Sequence, residues 1–355
     1  MRIGVDTSKF PGAAAHGPLW TLGRIASLGL EGAFFRSAFD LSATLDAGEL
    51  REVAQEARQL GLYLEAGVAK VNPFATPEAP QIRILGDGDY LAGLAKTVRA
   101  ATAAGITELW SATAGYQFRI AGLRACDRFR TDVDWREQLA ATATVLDRLG
   151  PVLRDCGAHL NLETHEEITS FEVVRLVEQA GPDAFGITFD TANVLVRCED
   201  PVAAAKRVAP YVRQMHVRDA ALLFTDDGIG RFLAPVGQGV VEWPELLGAL
   251  LAEAPDLHLS VEGVAGSTAE MPLYLGDPEW RAGHPDLTVD EFAAVVDLTR
   301  RYERAAARGE RPGLTALRRP VEEPEQLEFL VASAAELRAQ LRETSPVRRS
   351  ERKSR

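Results

Sequence analysis

His159-Leu-Asn-Leu-Glu163 is a short apolar run that ends on a carboxylate, and the pattern returns three times: Phe185-Gly-Ile-Thr-Phe-Asp190, Val212-Arg-Gln-Met-His216 and Leu257-His-Leu-Ser-Val-Glu262. Runs of this length and composition read as buried parallel strands. An ionisable side chain at the end of a buried strand is costly unless it is neutralised, hydrogen-bonded or metallated. A single such residue is an ordinary capped or salt-bridged strand end, whereas four in successive strand–helix units point to one shared site. Three carboxylates and an imidazole suit one divalent cation such as Mn²⁺, Mg²⁺, Co²⁺ or Zn²⁺.

Outward from these runs, strand-like and helix-like segments alternate eight times. Strands are expected near residues 2–7, 32–37, 62–69, 106–114, 158–165, 185–190, 212–218 and 257–263. Helical spacing of apolar residues fills the gaps, as in Glu49 to Leu60, Tyr90 to Ala104, Trp135 to Leu153, Phe171 to Gln179 and Trp243 to Glu253, and many of these stretches are followed by glycine. The class is α/β. An open doubly wound sheet alternates in the same way, but eight strands with candidate ligands on the last four favour a closed (β/α)8 TIM barrel, whose strand ends share one mouth.

The barrel is expected over residues 1–310, with the segment near 290–307 as its eighth helix. Extended loops follow strands seven (220–239) and eight (264–288), and loops of that length are usually functional. A C-terminal helical extension covers 311–344, and the basic tail 345–355 has no apolar anchor and is expected to be disordered. The formal charge of −12 argues against nucleic acid as a partner, since phosphate binding needs a basic field. Three cysteines without a CxxC pair, no leader-like apolar start and no membrane-length apolar run fit a cytoplasmic protein with no membrane partner.

Strand alternation selects the side chains that enter the barrel. If Glu163 points inward so does His165, either supporting Glu163 or meeting substrate. His216 brings Arg218, as a partner to a ligand carboxylate or a group holding substrate oxygen, and Glu262 brings Ser260. Glu65 on the third strand and Trp110 on the fourth are candidates for binding a sugar, with a core role the alternative for each. His258, at the start of the last strand, lies at the wrong end for chemistry. Tyr274, Trp280 and Trp243 are candidates for an aromatic wall around a larger substrate.

Glu163-Thr-His165, Phe189-Asp-Thr-Ala-Asn193, His216-Val-Arg-Asp219, the 237–244 stretch Gly-Gln-Gly-Val-Val-Glu-Trp-Pro and Ser260-Val-Glu262 resemble, in order and spacing, the signatures of the xylose isomerase-like barrel superfamily of sugar isomerases and epimerases. The resemblance covers about residues 1 to 310. It implies that Glu163, Asp190, His216 and Glu262 hold one divalent cation, often Mn²⁺, and that Glu163 and Glu262 also move protons. Such a base needs a pKa raised toward neutrality, which burial can supply. Two departures weaken a free-ketose assignment: Asn193 stands where many epimerases of the group place a substrate-touching histidine, and Ala220-Ala-Leu-Leu lacks an arginine that several carry there.

The leading expectation is a metal-dependent sugar isomerase or epimerase that abstracts a proton beside a carbonyl. A close alternative is a lyase on oxidised (3-oxo) glycosides, as in the C-glycoside deglycosidase catalytic subunits, with His165 as the base. A remote one is an endonuclease IV-like DNA repair enzyme. The expected substrate is a small sugar or glycoside, and the expected assembly is a homo-oligomer or a complex with a small partner subunit.

Overall fold

The computed structural model describes residues 1–75 and 79–344, so the tail 345–355 lies outside the described residues. Seven parallel strands follow one another around the molecule: β1 (Ile3–Asp6), β2 (Gly32–Phe35), β3 (Tyr63–Gly67), β4 (Glu108–Ser111), β5 (His159–Glu163), β6 (Phe185–Asp190) and β7 (Val212–Val217). The chain then makes a hairpin, β8 (Asp219–Thr225) and β9 (Gly228–Ala234), before β10 (Leu259–Val261) bonds to both β7 and β1 and closes a (β/α)8 barrel. Every strand expected from the sequence is present.

Local chemistry sets the connecting helices. The Trp135–Cys156 helix starts where the Asp134 carboxylate accepts the Glu137 N–H at 2.8 Å and ends at Gly157, whose φ of 60° turns the chain toward β5. The Ser170–Ala180 helix opens with a reciprocal Thr169/Glu172 capping box. At the N-terminal end of the barrel Tyr63 forms a plug, its hydroxyl 2.8 Å from Ser260 Oγ and its ring stacked on His258 at 4.1 Å. Only glycine leaves room for it at position 32, where a Cβ would lie 2.1 Å from the ring. No helix among the described residues is long and apolar enough to cross a membrane.

Two features depart from the sequence reading. The connection after β7 is a regular hairpin, extended by β11 (Met271–Leu273) from the connection after β10 into a three-stranded antiparallel sheet. Buried Asp219 ties its base down, accepting the N–H groups of Gly237 and Val241 and the Trp243 indole N–H at 2.9–3.0 Å. The eighth helical position, moreover, is taken by the Glu323–Thr344 helix, which packs on β1, β10 and the Trp243–Glu253 helix and buries Leu330, Ala334 and Leu337 in the main core. The Val289–Ala307 helix lies against β8 instead, where Val295, Leu298 and Tyr302 form a second core with Leu222 and Phe232. The last helix is therefore a wall of the barrel. Leu337→Ala should lower stability by about 2–5 kcal/mol, as for a core leucine, read as a fall in melting temperature; an unchanged melting temperature would restore the view of this helix as an appendage.

Candidate metal centre in the barrel mouth

Glu163 ends β5, Asp190 ends β6, His216 lies one residue from the end of β7 and Glu262 follows β10, so all four reach the C-terminal mouth. Their ligand atoms lie within 4.8 Å of one another, and the four residues are buried. One irregularity makes this possible. Ile187 pairs with Val212 but Thr188 pairs with Gln214, a register shift that brings Asp190 beside His216. Without it Asp190 would face Met215, and the imidazole would point away from the barrel interior.

The three carboxylates are each held from behind. Glu163 accepts from the Trp110 indole at 2.9 Å and the Asn193 amide at 3.4 Å. Asp190 Oδ1 accepts the Ala192 and Asn193 N–H groups at 2.9 Å, and its Oδ2 accepts from Arg218 Nε at 3.0 Å. Glu262 Oε1 meets three cations, Lys9 at 2.7 Å, Arg36 at 3.0 Å and Arg218 at 3.1 Å. His216 Nδ1 stands 3.3 Å from Glu163 and 3.9 Å from Glu262, between the two glutamates. Two buried ligand atoms, His216 Nε2 and Glu262 Oε2, have no hydrogen-bond partner. Unpartnered polar atoms on two members of a four-residue cluster fit a bound divalent cation.

The electrostatics correct one expectation. Burial raises the pKa of Glu163, but His216 and His165 outweigh it and hold the carboxyl at about 2. Glu262, opposed by burial in the same way, is held well below the usual range by Arg218, Lys9 and Arg36. Asp190 alone rises, to about 6, because burial and the two glutamates outweigh Arg218. Glu163 and Glu262, expected to move protons, are therefore ionised rather than poised near neutrality.

The mouth opens into a cavity of about 750 Å³. Among the residues named from the sequence, Trp110, His165 and Arg218 line it, while Asn193 sits behind the ligands and bridges Glu163 to Arg218. His165 Nδ1 is 2.6 Å from both Glu166 and Glu167, which together with Glu163 overcome burial and keep the ring's pKa well above its usual value. With Nδ1 so engaged, Nε2 is the nitrogen left to meet a ligand. Glu65 does not belong here: it points into the barrel from the opposite end, 3.3 Å from His258, in a separate cavity shared with Glu108. Alternation gives the direction of a side chain but not its depth. The expected aromatic wall is also different, since Trp243 and Trp280 are core residues and Tyr116 and Phe118 line the cavity. His284 is buried against the Trp280 carbonyl and Arg197.

Lys9, Arg36, Glu166, Glu167 and Arg231 were missed in the sequence. A signal existed for Arg36, which follows the apolar run of β2 just as Glu262 follows β10, and for Asp6 at the end of β1, whose carboxylate Arg36 meets at 3.1 Å.

The chain belongs to the xylose isomerase-like TIM barrel family, whose model matches residues 22–285. The uncharacterized protein YihM of Escherichia coli (strain K12) is 29% identical over 127 residues, covering 36% of this chain and 39% of that protein. Inosose dehydratase of Lacticaseibacillus casei is 27% identical over 147 residues, covering 37% of this chain and 48% of that protein. The chain thus matches less than half the length of these relatives. Similar solved structures are D-psicose 3-epimerase of Clostridium cellulolyticum H10, with TM-score 0.58 and 15% identity over 85% of this chain and 99% of that one, and the E. coli 3-keto-D-glucoside 4-epimerase YcjR, with TM-score 0.55 and 15% identity over 84% and 99%. These likenesses extend to the fold.

His216→Ala should weaken Mn²⁺ binding by more than about 100-fold while leaving the circular dichroism spectrum intact, because even the outer partners of a ligand are worth about 10–100-fold. Titration calorimetry reads this directly. Unchanged affinity would place the ion elsewhere.

Proposed function

We propose that the protein is a divalent-metal-dependent carbohydrate enzyme that moves a proton on carbon beside a carbonyl, as a sugar isomerase or epimerase. The observation that carries this reading is the buried Glu163, Asp190, His216 and Glu262 cluster, with two unpartnered polar atoms, whose Glu262 lines a cavity large enough for a sugar. A divalent ion held by these four residues would supply electrophilic polarisation of a carbonyl and its neighbouring oxygen. Manganese remains the first choice.

The chain's own residues divide the remaining work. Glu163 and Glu262 reach the centre from β5 and β10, strands with β6 and β7 between them, so they approach a bound sugar from different sides. One carboxylate accepts the proton from carbon; an isomerase returns that proton from the same carboxylate to the neighbouring carbon, whereas an epimerase delivers a proton to the opposite face from the other carboxylate after it has taken one up from solvent. Both carboxylates are ionised, which suits the accepting role, and their low pKa values leave the carbon's acidity to be supplied by polarisation of the carbonyl. Trp110 and Asn193 fix the orientation of Glu163, and Lys9, Arg36 and Arg218 fix that of Glu262.

A second reading, elimination of water or an aglycone from an oxidised sugar, is supported by His165. Epimerisation needs two proton carriers, and His165, anchored through Nδ1 at the cavity wall, is a third that can serve a departing oxygen. The similarity to inosose dehydratase points the same way.

Proton exchange in D₂O with Mn²⁺ and a panel of ketoses and 3-oxo-glycosides tests both readings. Deuterium on carbon without release of a fragment identifies an isomerase or epimerase; loss of water or aglycone identifies a lyase. Glu163→Gln and Glu262→Gln should each slow exchange by about 10²–10⁴, the contribution of a positioned acid or base. Near-normal exchange in either variant would reduce that residue to a ligand.

A further inference from the structure

Arg231 is a fully buried guanidinium without a carboxylate. It lies on β9, directly paired with Met271 of β11, in the sheet beside the mouth. Its Nε and Nη1 have no hydrogen-bond partner, and its Nη2 meets only the Met271 thioether, a weak acceptor. Arg231 and Leu233, two residues apart and so on one face of the sheet, both line the 750 Å³ cavity. Burial and the like charge of Arg218 lower its pKa to about 10, which still leaves it charged at neutral pH. Buried cations are ordinarily paired, because desolvation is repaid only by an opposite charge.

The rest of the cavity does not supply that charge. Among the described residues its lining includes the cationic side chains of Lys9, Arg36, Arg218 and Arg231 and the carboxylates of Glu166 and Glu262. Glu262 is already shared by Lys9, Arg36 and Arg218, and Glu166 stands against His165. A basic mouth in a chain of formal charge −12 is a local arrangement, not a reflection of overall composition.

We propose that the substrate carries an anionic substituent, a carboxylate, phosphate or sulfonate on the sugar, and that Arg231 receives it at the cavity wall beside the metal centre. This rests on the carbohydrate reading and narrows it from neutral ketoses and glycosides to acidic sugars. The guanidinium is held in place by the β9–β11 pairing at the cavity wall, and an oxyanion that displaces the side chains covering it gains a strong charge-assisted interaction.

The test uses the full chain with Mn²⁺. Inorganic phosphate and sulfate should raise the melting temperature above that in chloride at matched ionic strength, and Arg231→Met should lose this response, whereas Arg231→Lys, which keeps the charge, should retain it. If Arg231→Met fails to fold, Arg231→Gln against Arg231→Lys makes the same comparison. Calorimetry with a hexuronate, a hexose phosphate and a hexose sulfonate then identifies the anion, the best of them binding at least tenfold more tightly than a neutral hexose. An anion response that survives in the Met and Gln variants, or neutral hexoses that bind as tightly as every acidic one, would overturn the proposal. Binding is read here without turnover, so an Arg231-dependent response stands even if no substrate exchanges its proton. Conversely, exchange on neutral ketoses undiminished by Arg231→Met removes the anion site and leaves the isomerase reading in place.

Discussion

The mouth is governed by the mutual repulsion of three carboxylates buried within a few ångströms of one another. Glu163, Asp190 and Glu262 would not remain ionised in a dry barrel end without compensation, and the chain supplies it from several directions. Arg218 is the pivot, bonded to Asp190, Glu262 and Asn193 at once. Lys9 and Arg36 come from the ends of the first two strand units, so the first and last strands are joined by charge as well as by their ladder. These cations balance much of the negative charge of the cluster.

That balance also explains why burial fails to make Glu163 and Glu262 strong bases. Desolvation pushes both upward, but the counter-charges close by win. Asp190, sharing only Arg218 and feeling both glutamates, is the exception. Neighbouring charge, not depth, sets the order among the three.

Much of the architecture was legible because the physical signals are local. Buried parallel strands leave continuous apolar runs, helices leave three- and four-residue spacing, and a polar residue ending such a run is conspicuous, as with Glu163, Asp190 and Glu262. Signals depending on the assembled barrel were not legible. Lys9 and Arg36 look like solvated loop residues until β1, β2 and β10 are side by side. Glu65 has the correct parity but the wrong depth. Arg231 lies in a segment whose glycines suggested a loop, and only the pairing of β9 with β11 buries it. The Glu323–Thr344 helix shows its Leu330, Ala334 and Leu337 stripe plainly, yet chain order assigned the eighth position to the preceding helix.

The position of that last helix bears on how the protein is made. β1 is synthesised long before its neighbour β10 and the helix that covers both. Contacts this distant in sequence carry a large loop-closure cost and form slowly. Throughout most of translation the nascent chain therefore holds an open sheet with an unpaired, apolar edge at β1. Such an edge can pair with another chain until β10 and the Glu323–Thr344 helix cover it.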